Sequence, residues 1–304
     1  RGSNPLFRTI FISIIISTIR DQMLDKDYVD DITPEMENEK VKIAGWVYRQ
    51  RSHGGLSFII LRDSTGIIQS TIKEENVDEN SFNVAQNVGI EASVIIEGVV
   101  KKDDRAPTGI EIQAENVELV GESNNFPIEE DSGKVFKLDN RHLDIRSREN
   151  TELMELKELA IRSAREWLWD NKWHEVFPPL MNTAAVEGGS TLFRFDYFDE
   201  EAYLSQSAQL YLEVAMTSLE KVWALTPSFR AEKSRTRRHI TEYWHLELEA
   251  PWMDMDDILE VQENLVSQMT QTILDDERGK RILEDIDRDL TTLENTKAPF
   301  ERIT

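Results

Sequence analysis

Three observations predict an α+β chain in which a small β-barrel precedes a larger domain built on an antiparallel sheet. Five short runs rich in β-branched residues crowd the stretch from Val41 to Gly121. The apolar period then lengthens to that of a helix near Thr151. Beyond it, strand-like and helical stretches follow one another to Thr304, so strands and helices are segregated along the chain.

The five runs are VKIAGWVYRQR, LSFIILRDS, GIIQSTIKE, EASVIIEGVVKKD and IEIQAENVELVG. Turn signals separate them at His53-Gly54-Gly55, Asp63-Ser64-Thr65-Gly66 and Ala106-Pro107-Thr108-Gly109. A helical insert spans Glu79–Val88 between the third and fourth. Five strands in so short a stretch suit a closed barrel of the oligonucleotide-binding (OB) type, over residues 23–122. Residues 123–146, polar and broken by Pro127 and Gly133, read as a hinge.

The second domain occupies 147–304. Met154, Leu156, Leu159, Ile161, Ala164, Trp167 and Leu168 fall at helical spacing and predict an amphipathic helix over Thr151–Asn171. HEVFPPLM reads as a strand ended by two prolines. A glycine loop at Glu187-Gly188-Gly189 and a hairpin-like aromatic segment, Phe193–Phe198, come next. A helix over Ser207–Ser218, strands over Val222–Arg230 and Thr241–Glu249, and helices near Asp254–Asp275 and Glu277–Asp287 complete the reading.

Composition narrows the function. A chain of 304 residues has room for two domains. It has no cysteine, which excludes disulfides, thiolate catalysis and Cys-ligated zinc, and suits a cytoplasmic setting. Its five histidines show no metal-ligand spacing, and no metal site is expected among these residues. A net charge of -23 argues against a basic protein that coats nucleic acid, but leaves room for an enzyme with local basic patches. LFRTIFISIIIST, near the start, is too short for the roughly 20 residues that span a bilayer. No membrane partner is expected. Residues 1–22 are set aside as a non-native or disordered leader, with Met23 as the expected natural start.

Against that acidic background, FRAEKSRTRRHITEYWHLELE stands out. Five Lys or Arg residues lie between Arg230 and His239, directly before an aromatic pair and an alternating polar/apolar run. A solvated basic turn would satisfy the charge alone. A polyphosphate ligand would use it.

These segments, in this order, resemble the class II aminoacyl-tRNA synthetases of the aspartate/asparagine subgroup, nearest the archaeal-type asparaginyl enzymes. FRAE, the loop and HLELE match the class's ATP-binding strand–loop–strand. The long helix with WHEVFPPLM is similar to the first class motif, which implies a homodimer with Pro179 at the seam. AVEGGSTLF resembles the mobile loop over the amino-acid pocket, YLSQSAQLYLE the amino-acid-binding segment, and GWVYRQRSHGGLSFIILRDSTGIIQ the anticodon-binding barrel. Any one match would be weak, but five in order are specific.

The resemblance implies roles. Arg230 would bridge the α-phosphate and the substrate carboxylate, with Glu232 beside the adenylate. Arg238 and His239 would reach the outer phosphates, and Tyr243 would stack adenine. Glu187, Ser207, Gln209, Leu212, Glu213 and Glu247 would surround the amino acid. In the barrel, a ring, an amide and a cation suit a splayed RNA base. Composition alone leaves Phe58 as core or platform; the resemblance puts it under the middle anticodon base, with Gln69 and Arg51 beside it. The implied reaction attaches asparagine to tRNA(Asn) through an asparaginyl-adenylate, using ATP and Mg²⁺.

Where aspartate enzymes have QSPQLYK, this chain has QSAQLYL, so Leu212 replaces a lysine that pairs with a substrate carboxylate. The class's third motif, Gly-x-Gly-x-x-Arg, is absent, and so are the magnesium-holding residues beside it. The expectation is therefore an amino-terminal portion of a synthetase, with a truncated catalytic domain inactive alone. Alternatives are an aspartyl-tRNA synthetase, which could charge both Asp and Asn tRNAs, and a non-catalytic RNA-binding paralogue. A synthetase-derived asparagine synthetase lacks such a barrel.

Overall fold

The computed structural model describes residues 25–302, apart from 130, 184–190, 234–235, 237–238 and 287–288. The leader, Glu187 and Arg238 lie outside the described residues. Two compact units meet at Gly133/Lys134. No described helix is long and apolar enough to cross a membrane.

The first unit is a closed barrel of five strands in the order β1-β2-β3-β5-β4. They are β1 (Lys40–His53), β2 (Leu56–Arg62), β3 (Ile67–Lys73), β4 (Ser93–Lys102) and β5 (Ile110–Gly121). Alternation fills the interior: Ile43, Val47, Ile59, Leu61, Ile68, Ile72, Ile96 and Ile112 are all buried. Helix α1 (Glu79–Asn87) adds Phe82 and Ala85 to that core. It is capped by Asp78, whose carboxylate accepts the Ser81 N–H at 2.7 Å. The β4–β5 ladder shifts register between Glu97 and Gly98. There a Cβ on Gly98 would lie 2.3 Å from the Gln113 carbonyl oxygen, so only glycine fits.

In the second unit, two short helices, α2 (Lys134–Asp139) and α3 (Arg141–Asp144), form within the segment read as a hinge. Helix α4 (Arg148–Asp170) follows, starting three residues before its expected first turn. Its buried stripe of Leu159, Ser163, Ala164 and Leu168 gives the helix its inner face. β10 (Val222–Phe229) and β11 (Glu242–Glu249) form an antiparallel pair, with β6 (His174–Glu175) parallel on the far side of β10. The strand expected through HEVFPPLM is broken. Pro178 and Pro179 have no N–H for a ladder, and β7 (Met181–Asn182) joins a different sheet. That sheet contains β8 (Arg194–Tyr197) and β9 (Glu200–Leu204), the hairpin the aromatic segment predicts.

The β10–β11 pair carries cores on both faces. On one, Trp223, Leu225, Leu246 and Leu248 pack with α4 and with α6 (Met255–Asp275). On the other, Val222 and Ala224 meet Ala208 and Leu212 at the start of α5 (Gln209–Leu219). Helices α7 (Glu277–Ile286) and α8 (Thr291–Glu294) follow.

Candidate active site and nucleic-acid interface

Strand alternation sets the site on the α5 face. Tyr243, His245, Glu247 and Glu249 occupy every second position of β11, opposite Ser228, Thr226, Ala224 and Val222. Apolar Trp244, Leu246 and Leu248 face the other way. The result is a file of ring, imidazole and two carboxylates. The Tyr243 and His245 rings lie 5.5 Å apart, and His245 Nδ1 is 3.2 Å from the Ser228 hydroxyl.

Glu247 ties this strand to α5. Its carboxylate accepts the Ser207 hydroxyl proton and, at 2.8 Å, the Ala208 N–H. Gln209 donates to Glu213 Oε1 at 3.0 Å along the same helix face. Ser207, Gln209, Glu213 and Glu247 thus belong to one constellation. Burial, and then the negative charges of Glu213 and Glu247, push the Glu249 carboxyl above the usual carboxylate range.

Leu212 departs from its expected place. It is fully buried among Ala208, Val222 and Ala224, because its turn of α5 faces the sheet rather than the polar side. The helix offers the constellation Gln209 and Glu213 instead.

Arg230 follows the last residue of β10, and its backbone is held from three sides. The Phe229 N–H donates to Ser205 O at 3.0 Å, that of Arg230 to Thr241 O at 2.9 Å, and that of Ala231 to Thr191 O at 2.7 Å. The Arg230 and Glu232 side chains are exposed. His239 is also exposed, with Nδ1 2.6 Å from the Thr236 hydroxyl. Pro179 is exposed, in a segment where Phe177 and Met181 are 79% and 55% accessible.

The second site is on the barrel. Ser57, Ile59 and Leu61 point inward, so Phe58 points out. It faces Arg51 across β1–β2, with the guanidinium carbon 6.0 Å from the ring centroid. Gln69 sits on β3 beside Glu111 of β5, and its amide donates to Glu111 Oε2 at 3.1 Å. Thr71 donates to the same oxygen at 2.5 Å. These residues, with Lys73, Lys102 and Arg105, line an open cleft of about 1320 Å³. Arg105 is held by Asp103 through bonds of 2.9 and 2.7 Å, and these hold the Asp103 carboxyl down at about 2. Ring, amide and cations therefore share one cleft.

Sequence reasoning missed His245, Glu249, Gln206, Thr191 and Glu111. The first two were visible in the alternation of EYWHLELE. The others come from segments far apart in sequence and carry no local signal.

Comparison with known proteins bears on both domains. Residues 41–120 match the family model for the OB-fold nucleic acid binding domain, and 133–304 that for tRNA synthetases class II (D, K and N). An asparagine--tRNA ligase from Thermococcus gammatolerans is 56% identical over 281 residues, 92% of this chain and 65% of that protein. The chain thus spans about two thirds of its relative's length. The crystal structure of asparaginyl-tRNA synthetase from Pyrococcus horikoshii complexed with asparaginyl-adenylate aligns with a TM-score of 0.87 at 53% identity, covering 91% of this chain and 64% of that one. The Entamoeba histolytica enzyme, also with asparaginyl-adenylate, aligns at 0.71 and 30% identity, covering 83% and 59%. With an outward-facing aromatic cleft on a five-stranded barrel, and a basic strand–loop–strand whose second strand carries Glu247 against the start of a helix, the chain belongs to the class II tRNA synthetases of the D, K and N group.

Proposed function

We propose that the full-length protein attaches asparagine to tRNA(Asn). In the first step the asparagine α-carboxylate oxygen attacks the α-phosphorus of ATP; the bond to the β-phosphate bridge breaks and pyrophosphate leaves. In the second, a ribose hydroxyl at the tRNA end attacks the adenylate carbonyl and AMP leaves. Arg230, its backbone fixed by three segments, supplies a cation for charge developing on the α-phosphate. Glu232 lies beside the adenylate, Arg238 and His239 serve the outer phosphates, and Tyr243 gives adenine a face. Glu187, Ser207, Gln209 and Glu247 receive the amino acid's polar groups.

The observation that carries the choice of asparagine is the convergence of Glu213, Glu247 and Glu249. A substrate side-chain carboxylate would meet like charge there, whereas a carboxamide can donate its NH₂. Phe58, Gln69 and Arg51 form the anticodon platform. Magnesium accompanies ATP in this proposal and would screen the phosphates. Among the described residues no group of three acidic, histidine or cysteine side chains is arranged to hold a metal. The protein acts in the cytoplasm as a homodimer, supported by the exposed Phe177 and Met181 flanking Pro179. Charging of tRNA with labelled asparagine by the full-length protein tests this reading. Binding of tRNA without any charging would favour an RNA-binding paralogue instead.

A further inference from the structure

Three successive backbone N–H groups, at Phe229, Arg230 and Ala231, donate to Ser205, Thr241 and Thr191. Thr241 is the neighbouring end of the basic loop. Ser205 precedes the amino-acid-binding helix, and Thr191 precedes β8. The carbonyl of Thr191 holds the Ala231 end of this run. Gln206 braces it: its amide nitrogen donates to Thr191 Oγ1 at 2.7 Å and to Thr191 O at 3.3 Å. A carbonyl only accepts, so the amide nitrogen must face it, which fixes the orientation of Gln206. Gln206 is directly bonded in sequence to both Ser205 and Ser207. Ser205 takes the Phe229 N–H, and its hydroxyl donates to Ser207 O at 2.8 Å. Ser207 in turn donates to Glu247.

We infer that Gln206 is a positioning residue that, through Thr191, sets the Arg230 backbone and so couples the amino-acid-binding segment to the phosphate-binding one. It touches neither substrate. This inference rests on the proposed function for its readout. It deepens that reading by adding a residue that acts on ATP use from within the amino-acid segment. The bonds at Phe229 and Ala231, one on each side of Arg230, fix the backbone from which its side chain starts. Losing the Thr191 brace lets that backbone shift, and a displacement of about 1 Å at a reacting group can cost on the order of 100-fold in rate.

The test uses the full-length protein and asparagine-dependent ATP–pyrophosphate exchange. In Gln206→Ala, kcat/KM for ATP should fall roughly tenfold, about one lost hydrogen bond to a fixed partner, while asparagine affinity measured without ATP stays within about twofold. Thr191→Val removes one acceptor and should show the same split in weaker form; Thr191→Ser keeps the hydroxyl and should restore the parent value. The double variant Gln206→Ala/Thr191→Val should be no worse than Gln206→Ala, because both act through one contact. Unchanged ATP kinetics in Gln206→Ala would overturn the inference. So would equal losses in asparagine and ATP binding, which would make Gln206 a direct ligand. Should Gln206→Ala fail to fold, the Thr191→Val and Thr191→Ser pair decides alone. A parent protein without asparagine-dependent exchange would sink the functional reading instead, a result distinguishable from either of these.

Discussion

Arg51 and Phe58 face each other across β1 and β2, with the guanidinium carbon 6.0 Å from the ring centroid and the ring on the outer face of the barrel. The ring stands on the outer face because the inward places on β2 are taken by Ser57, Ile59 and Leu61, and it is there that we propose it stacks a base. Phe58→Ala should weaken tRNA binding by about 1–3 kcal/mol, the scale of one stacked base, and leave pyrophosphate exchange unaffected. Filter binding measures the first. Amide exchange in the barrel should match the parent; general loss of protection would show that Phe58 supports the fold.

Arg230→Ala should abolish adenylate formation and leave tRNA binding nearly unchanged, since the proposed anticodon platform lies on the barrel. The loss of transition-state stabilisation should be on the order of 2–4 kcal/mol. Exchange within a few-fold of the parent would remove Arg230 from the chemistry.

Leu212 yields a prediction about folding as much as specificity. Its side chain is fully buried between α5 and β10. Leu212→Lys places an ammonium there, at a cost on the order of 3–5 kcal/mol if the charge finds no partner. Denaturant titration should show this loss. Efficient aspartate activation by a fully stable Leu212→Lys protein would mean that the lysine reaches the carboxylates beside it.

Glu249 sets a pH dependence. Its carboxyl is raised, first by burial and then by Glu213 and Glu247, above the ordinary value of 4.5. A carboxyl that holds its proton more tightly when folded contributes stability that is complete below the unfolded value. That contribution is lost as pH rises through the raised folded one. Glu249→Gln should therefore melt higher than the parent near neutral pH, and the two curves should converge below about 4.5. A variant less stable than the parent at neutral pH would assign Glu249 a favourable charged contact.

Much of this was legible in the sequence, for identifiable reasons. The barrel strands alternate apolar and polar residues between glycine turns, so Ile43, Ile59, Ile68 and Ile96 announce their own inward faces. The same period in EYWHLELE sets the site residues of β11 apart from Trp244, Leu246 and Leu248. Helices α2 and α3 were hidden because their residues are mostly polar and too few to show a period. The break between β6 and β7 turns on Pro178 and Pro179, which end one ladder without saying which sheet the chain enters next. Contacts such as Gln206 to Thr191 and Gln69 to Glu111 depend on how distant segments register. Local pattern contains no trace of them.

The central claim is that the carboxylates Glu213, Glu247 and Glu249, gathered beside the start of α5, select asparagine. Its most direct test is ATP–pyrophosphate exchange by the full-length protein with each amino acid in turn. Asparagine should be activated at least ~100-fold better than aspartate, as about 3 kcal/mol of discrimination implies. Equal activation of the two would contradict the account and make the protein an aspartate-type enzyme.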